Sequence, residues 1–212
     1  LHPKRGLAEA LETTEDMDEV SAEAYNTRHK SGLRLLAAPT ERLELARDRP
    51  VEQVDGLLRI LARNNDYVVA DLPRRIDVLT ASVLERSDQI LLLAQQSVAH
   101  INDAARMIKL LTLELAVPAD QITVVINRYT KNSLIEIDDV KKALKIEQLL
   151  VIPNQYKLVS ESIDTGDPVM QSARNSAVGK ALQHIVQIVR GIDKEQPARG
   201  ILGRALPAFL SK

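Results

Sequence analysis

Ile122-Thr123-Val124-Val125-Ile126 sets five apolar or β-branched residues in a row, followed at once by Asn127-Arg128. A run of this kind, without polar alternation, suits a strand covered on both faces, so it reads as an interior strand of a parallel sheet. The pattern recurs on either side. Ile90-Leu91-Leu92-Leu93-Ala94 comes before it and Leu149-Leu150-Val151-Ile152 after it. Tyr67-Val68-Val69-Ala70 and Leu33-Arg34-Leu35-Leu36-Ala37-Ala38 add two more expected strands toward the start. Between the runs lie stripes at helical spacing. Val98, Ile101, Ala104, Ala105, Ile108, Leu111 and Leu115 mark one face, with Ser97 as its N-cap. Val178, Ala181, Leu182, Ile185, Val189 and Ile192 mark another, closed near Gly191. Further helices are expected over 51–63, 78–86, 140–144 and 156–165, the last stopped by Gly166 and Pro168. Strand–helix–strand repetition implies an α/β fold: a mostly parallel, doubly wound sheet flanked by helices.

Composition narrows the classes. The 212 residues carry 28 Lys and Arg against 29 Asp and Glu, a formal net charge of −1. A general polyanion binder needs a net basic surface, so nucleic acid is disfavoured. Aromatics make up only 2%, and the core must be built from Leu, Ile, Val and Ala. The absence of cysteine removes thiol catalysis, disulfides and thiolate zinc sites. No apolar run approaches the ~20 residues of a membrane span. A soluble, cytoplasmic chain is expected.

Several phosphate and catalytic motifs are missing. The only Gly-Lys pair, Gly179-Lys180, is followed by Ala181, and Arg174 stands where G-x-x-x-x-G-K-[ST] needs its first glycine. On its helical stripe, Gly179 reads as a residue of helix–helix packing. G-x-G-x-x-G and G-x-S-x-G are absent, and His2, His29, His100 and His184 have no metal-ligand spacing. What remains lies at the expected carboxyl ends of strands, where open α/β sheets bind ligands. Asp71, ending the run 67–70 before Leu72-Pro73, can hold a magnesium-bound water beside a phosphate, or simply cap the next turn. Asn127 offers a donor and an acceptor to a base edge, and Arg128 can stack or pair with phosphate. In Ile152-Pro153-Asn154-Gln155 a strand ends and Asn154 is expected to cap a helix.

The order of these pieces carries more than each alone. Gly32-Leu33-Arg34-Leu35-Leu36-Ala37-Ala38-Pro39, Tyr67-Val68-Val69-Ala70-Asp71-Leu72-Pro73, Val125-Ile126-Asn127-Arg128-Tyr129, Ile152-Pro153-Asn154 and Gly166-Asp167-Pro168-Val169 occur in that sequence. Together they resemble the MinD/ParA group of deviant Walker A ATPases, and within it the CpaE/TadZ pilus assembly proteins. The likeness covers roughly residues 1–192. It implies ATP and magnesium as cofactors, a homodimer, and partners in pilus assembly machinery. It also places Asp71 and Pro73 at a switch segment near magnesium, Asn127 and Arg128 at base recognition, and Pro153, Asn154 and Gln155 along the adenine. The family's P-loop is expected upstream of Leu1, making this chain a segment that binds ATP weakly alone. Two other readings stay open: a localisation scaffold with the same fold that hydrolyses ATP poorly, and a ParA-like DNA-partition ATPase. Against the latter, Lys141, Lys142 and Lys145 lie among Glu136, Asp138, Asp139 and Glu147.

The two ends differ from the middle. Seven acids and no base lie between Glu9 and Glu23, as in a solvated face with a mobile turn. Residues 193–212 form a separate basic and apolar tail. Ile201, Leu202, Ala205, Leu206, Phe209 and Leu210 recur at near-helical spacing beside Arg199, Arg204 and Lys212. Such a strip can meet an anionic membrane surface or an external partner, or pack on its own domain or a dimer mate. Pro207 and two glycines weaken it as a helix.

Overall fold

The computed structural model describes residues 6–14, 17–37 and 50–191. The tail 193–212 and the segment Leu1–Arg5 lie outside the described residues. The chain divides into two compact units. One is drawn from the residues up to Asp88 together with Leu111–Val117; the other from Gln89–Leu110 and the residues from Pro118 onward.

In the second unit three strands form a parallel sheet in the order β3-β4-β5. They are β3 (Ile90–Ala94), β4 (Ile122–Tyr129) and β5 (Leu150–Pro153). Ile90 pairs with Ile122 and Ala94 with Ile126, so the runs align from their first residues. Helix α5 (Val98–Lys109) returns the chain from β3 to β4, and α6 (Ile137–Leu144) from β4 to β5. Ala94, Val124 and Ile126 bury against Ile101, Ala104, Val140 and Leu144. Branched side chains on three elements thus exclude water together, which is the main favourable term in this unit. Helices α7 (Tyr156–Thr165), α8 (Val169–Ser172) and α9 (Ala177–Val189) follow, and α9 packs on β5. Gly166, at φ 70°, ends α7 in the left-handed conformation that a side chain would resist.

The first unit is mostly helical. Helices α1 (Leu7–Glu12), α2 (Glu19–Glu23), α3 (Val51–Asn64) and α4 (Val78–Glu85) surround a core of Ala10, Leu11, Val54 and Leu57. β1 (Thr27–Arg28) and β2 (Arg34–Leu35) form a short antiparallel pair. A Cβ at Gly56 of α3 would meet Thr14 Cγ2 at 2.5 Å, so glycine allows the α1 end to approach α3 closely.

The parallel α/β architecture with flanking helices is the one expected. Three local expectations are corrected. Tyr67–Ala70 forms no strand: among the described residues it has no ladder partner, and Val69 is 92% exposed. A β-branched run becomes a strand only where a neighbour takes its backbone groups. Of the run 33–38, the described residues 33–37 supply only the two paired residues of β2, joined antiparallel rather than parallel, and Ala38 lies outside the described residues. The helix expected over 140–144 begins at Ile137, because Glu136 and Asp139 form a reciprocal cap one turn earlier. The acidic N-terminal stretch contributes α1 and α2, whose described acids are exposed or half-buried, with Ala10, Leu11 and Ala22 buried; Glu15 and Asp16, where the turn was expected, lie outside the described residues.

Candidate functional site

The carboxyl end of β4 is irregular where its polar residues begin. The pairing register between β4 and β5 shifts between Ile126 and Tyr129, and Arg128 adopts φ 54°. That left-handed conformation is disfavoured for a residue with a Cβ and persists only where the surroundings impose it. The Asn127 side chain contributes directly, its Oδ1 accepting the Arg128 N–H at 2.8 Å. Asn127 and Arg128 therefore sit in a bulge inside β4, not beyond a strand end. Arg128 is exposed at this bulge.

Beyond the bulge the two strands rejoin. Tyr129 pairs with Pro153, and the Asn154 N–H donates to the Tyr129 carbonyl at 2.9 Å. Asn127, Arg128, Pro153, Asn154 and Gln155 are thus brought to one end of the parallel sheet. Asn154 does not cap α7. The N-cap is Gln155, whose side chain makes no cap there; its Oε1 instead accepts the N–H of Val178 in α9 at 2.9 Å. Local spacing could not reveal that bond, because the donor lies 23 positions away.

A second glutamine was not singled out by the sequence reading. Gln96, two residues after β3, donates from Nε2 to the Ile135 carbonyl at 2.9 Å and accepts the Thr130 N–H at 2.9 Å. It thereby clasps both ends of the β4–α6 loop. The one available signal was its position, a polar residue just past a buried strand. Ser97 is the N-cap expected for α5, accepting the His100 N–H, and its Oγ also meets His100 Nδ1 at 2.6 Å.

Asp71 and Pro73 belong to the first unit, where both are exposed in irregular chain. The expectation that Asp71 ends a buried strand is corrected with that strand. Nor does Asp71 cap the following helix: Asp77 does, through the Thr80 N–H at 2.9 Å. Gly179 is a packing residue, but against backbone rather than another helix. A Cβ there would meet the carbonyl oxygens of Arg174 at 2.4 Å and Ala173 at 2.6 Å.

The residues at the β4 and β5 ends suit a planar, hydrogen-bonding group such as a base: an amide, a guanidinium, a proline face and exposed backbone. No glycine-rich loop with a following lysine exists in the 212 residues to cradle a triphosphate. Among the described residues, no helix is long and apolar enough to cross a membrane.

No protein-family model matches the chain. It is 25% identical over 177 residues to the septum site-determining protein MinD of Thermotoga maritima, covering 81% of this chain and 64% of that protein. Against MinD of Bacillus subtilis it is 24% identical, covering 74% of this chain and 54% of the relative. The chain thus spans less than two thirds of these relatives' length. Among solved structures it resembles a ParA family ATPase from Chlorobium tepidum, with TM-score 0.76, 24% identity and coverage of 86% and 75% of the two chains. It also resembles the MinC:MinD cell division complex of Aquifex aeolicus, with TM-score 0.69, 22% identity and coverage of 89% and 74%. By sequence and by fold, the relatives of this chain are ATPases of the MinD/ParA family.

Proposed function

We propose that this chain supplies the base-recognition part of a MinD/ParA-like ATPase resembling CpaE/TadZ, which acts in assembly or polar localisation of a type IV (Flp/Tad) pilus through ATP-dependent dimerisation. The observation that carries the nucleotide reading is the bulge at Asn127-Arg128, joined to the β5 end by the Asn154–Tyr129 hydrogen bond. In this reading Asn127 and Arg128 meet the base edge, while Pro153 and Asn154 line its face. Gln155 supports that loop from behind through Val178. Asp71, with Pro73 beside it, is the residue assigned to a magnesium-bound water when nucleotide is bound. ATP with magnesium would supply the energy of the switch, and this chain's own residues orient its base. The pilus assignment draws its support from the five ordered motifs. A membrane or partner contact through residues 193–212 belongs to the same proposal, and DNA does not.

Nuclear magnetic resonance on the labelled chain tests the nucleotide part. AMP at millimolar concentration should shift the amide signals of Asn127, Arg128 and Asn154, and GMP should do so less. Without a phosphate cradle, Mg-ATP should bind no more tightly than AMP by more than about tenfold. Unshifted signals at all three amides would reject the base site. Deleting the gene tests the biological part: loss of surface pili with normal septum placement supports the pilus role, and the reverse pattern rejects it.

A further inference from the structure

The left-handed Arg128 needs a hold that its own strand does not provide. Asn127 fixes one side of it, and β5 meets the chain again only at Tyr129. Thr130 follows directly, and its N–H is taken by Gln96 Oε1. Tyr129 and Ile135, on either side of the loop, pack on the core, while no hydrophobic residue from 130 to 134 does. A cavity of about 250 Å³ lies there, lined by Gln96, Tyr129, Lys131, Ser133, Ile135 and Glu136 among others. At the far side of the loop the Gln96 Nε2 ties down the Ile135 carbonyl.

We infer that Gln96 is a positioning residue for the base site. By clasping Thr130 and Ile135 it fixes where β4 ends, and so imposes the bulged conformation that presents Asn127 and Arg128. The chemistry suits the task, since a carboxamide offers a neutral donor and an acceptor on a single rigid plane. A hydrophobic residue would fill the same space and hold neither anchor. The role rests on reading the β4 end as a base site, but the conformational part stands on the ligand-free geometry.

The test uses Gln96→Leu and Gln96→Glu in the full 212-residue chain. Two quantities are read: amide exchange at Arg128 without ligand, and the ratio of AMP to GMP affinity. In Gln96→Leu, Arg128 exchange should rise about tenfold and the preference for AMP should disappear, while exchange at Val124–Ile126 stays as in the parent. Gln96→Glu keeps an acceptor for Thr130 but sets two acceptors together at Ile135, and should change both quantities in the same direction by a smaller factor. A residue that merely stabilised the sheet would raise exchange throughout β4 and leave the base preference intact, which would overturn the inference. Unchanged Arg128 exchange in folded variants would overturn it as well. If the parent chain takes up neither nucleotide, the base reading fails, and Arg128 exchange alone decides whether Gln96 positions the bulge. If Gln96→Leu does not fold, the milder Gln96→Glu decides by the same two quantities.

Discussion

Gln155 Oε1 and the backbone N–H of Val178 are joined by a 2.9 Å hydrogen bond that links the β5 end to the first turn of α9. The first-turn donors of a helix have no partner within it. In α9 the Ser176 side chain takes the Gly179 N–H, and Gln155 takes that of Val178. One side chain therefore holds a strand-end loop and caps a helix at once.

Replacing Gln155 by Leu should destabilise the chain by about 1–3 kcal/mol, because the N–H of the buried Val178 would lose its acceptor. Gln155→Glu keeps an acceptor, now anionic, at a helix N-terminus and should cost less than about 0.5 kcal/mol. Urea unfolding midpoints of the two variants measure the difference. Equal losses would show that the bond contributes little.

Gly179→Ala opposes two effects. Alanine gains about 1 kcal/mol of helix propensity over glycine. Its Cβ, however, would press on two backbone carbonyl oxygens that cannot rotate away. Overpacking of this kind costs about 1–3 kcal/mol, so a net destabilisation of roughly 1 kcal/mol is expected. A thermal melt checks the sign, and a raised melting temperature would contradict the close approach.

Asp55 joins α3 to α4. Its Oδ1 accepts from Ser82 Oγ at 2.9 Å, and its Oδ2 pairs with the Arg86 guanidinium. Asp55 is mostly buried, whereas the Arg86 side chain is 40% exposed and screened by solvent. Asp55→Ala should therefore cost about 1–3 kcal/mol, since the buried Ser82 hydroxyl loses its acceptor, while Arg86 keeps its bonds to the Ser82 carbonyl and Oγ. Arg86→Met should cost about 1 kcal/mol or less, an amount that shrinks further in high salt. Denaturant melts at two salt concentrations separate the terms.

The Asp77 carboxyl is held below the usual carboxylate range, chiefly by the Thr80 backbone N–H, then by the Thr80 side chain and Arg75. A depressed folded-state value means the carboxylate favours the folded state above its unfolded-state pKa. That contribution is lost as pH falls through the folded value. Asp18, capped chiefly through the Ser21 side chain, has the same sign. Stability measured downward from pH 5 should fall less steeply in Asp77→Asn than in the parent, while at neutral pH the substitution should be mild because Asn also caps. Identical slopes would remove Asp77 from the acid response.

Val69 and Ile126 make a matched contrast. Val69 is almost fully exposed, and Val69→Lys should change stability by less than about 0.5 kcal/mol while reducing self-association of an open apolar segment. Ile126 is fully buried, and Ile126→Ala should cost about 2–5 kcal/mol. Unfolding curves give the first comparison, and light scattering at high protein concentration gives the second. A large loss at Val69 would mean that the run is covered.

The runs that became β3, β4 and β5 were legible because unbroken apolar, branched residues favour extended chain, but the expected burial on both faces holds only for Val124–Ile126 of β4; Leu91 and Leu93 of β3 are exposed. The caps at Ser97 and Gly166 were legible too, since each acts within one turn of its own position. Asn127, Arg128 and Pro153 could be placed near strand ends for the same local reason. Tyr67–Ala70 has the composition of the other runs and yet forms no strand, because pairing depends on which chain comes alongside, and that is not written in the run itself. The bulge at Arg128, the clasp of Gln96 on Thr130 and the bond from Gln155 to Val178 were decided only by tertiary structure. A glutamine has no strong local preference that marks such a role. Its carboxamide acquires one only when the folded chain brings a backbone group 34 or 23 positions away within hydrogen-bonding distance.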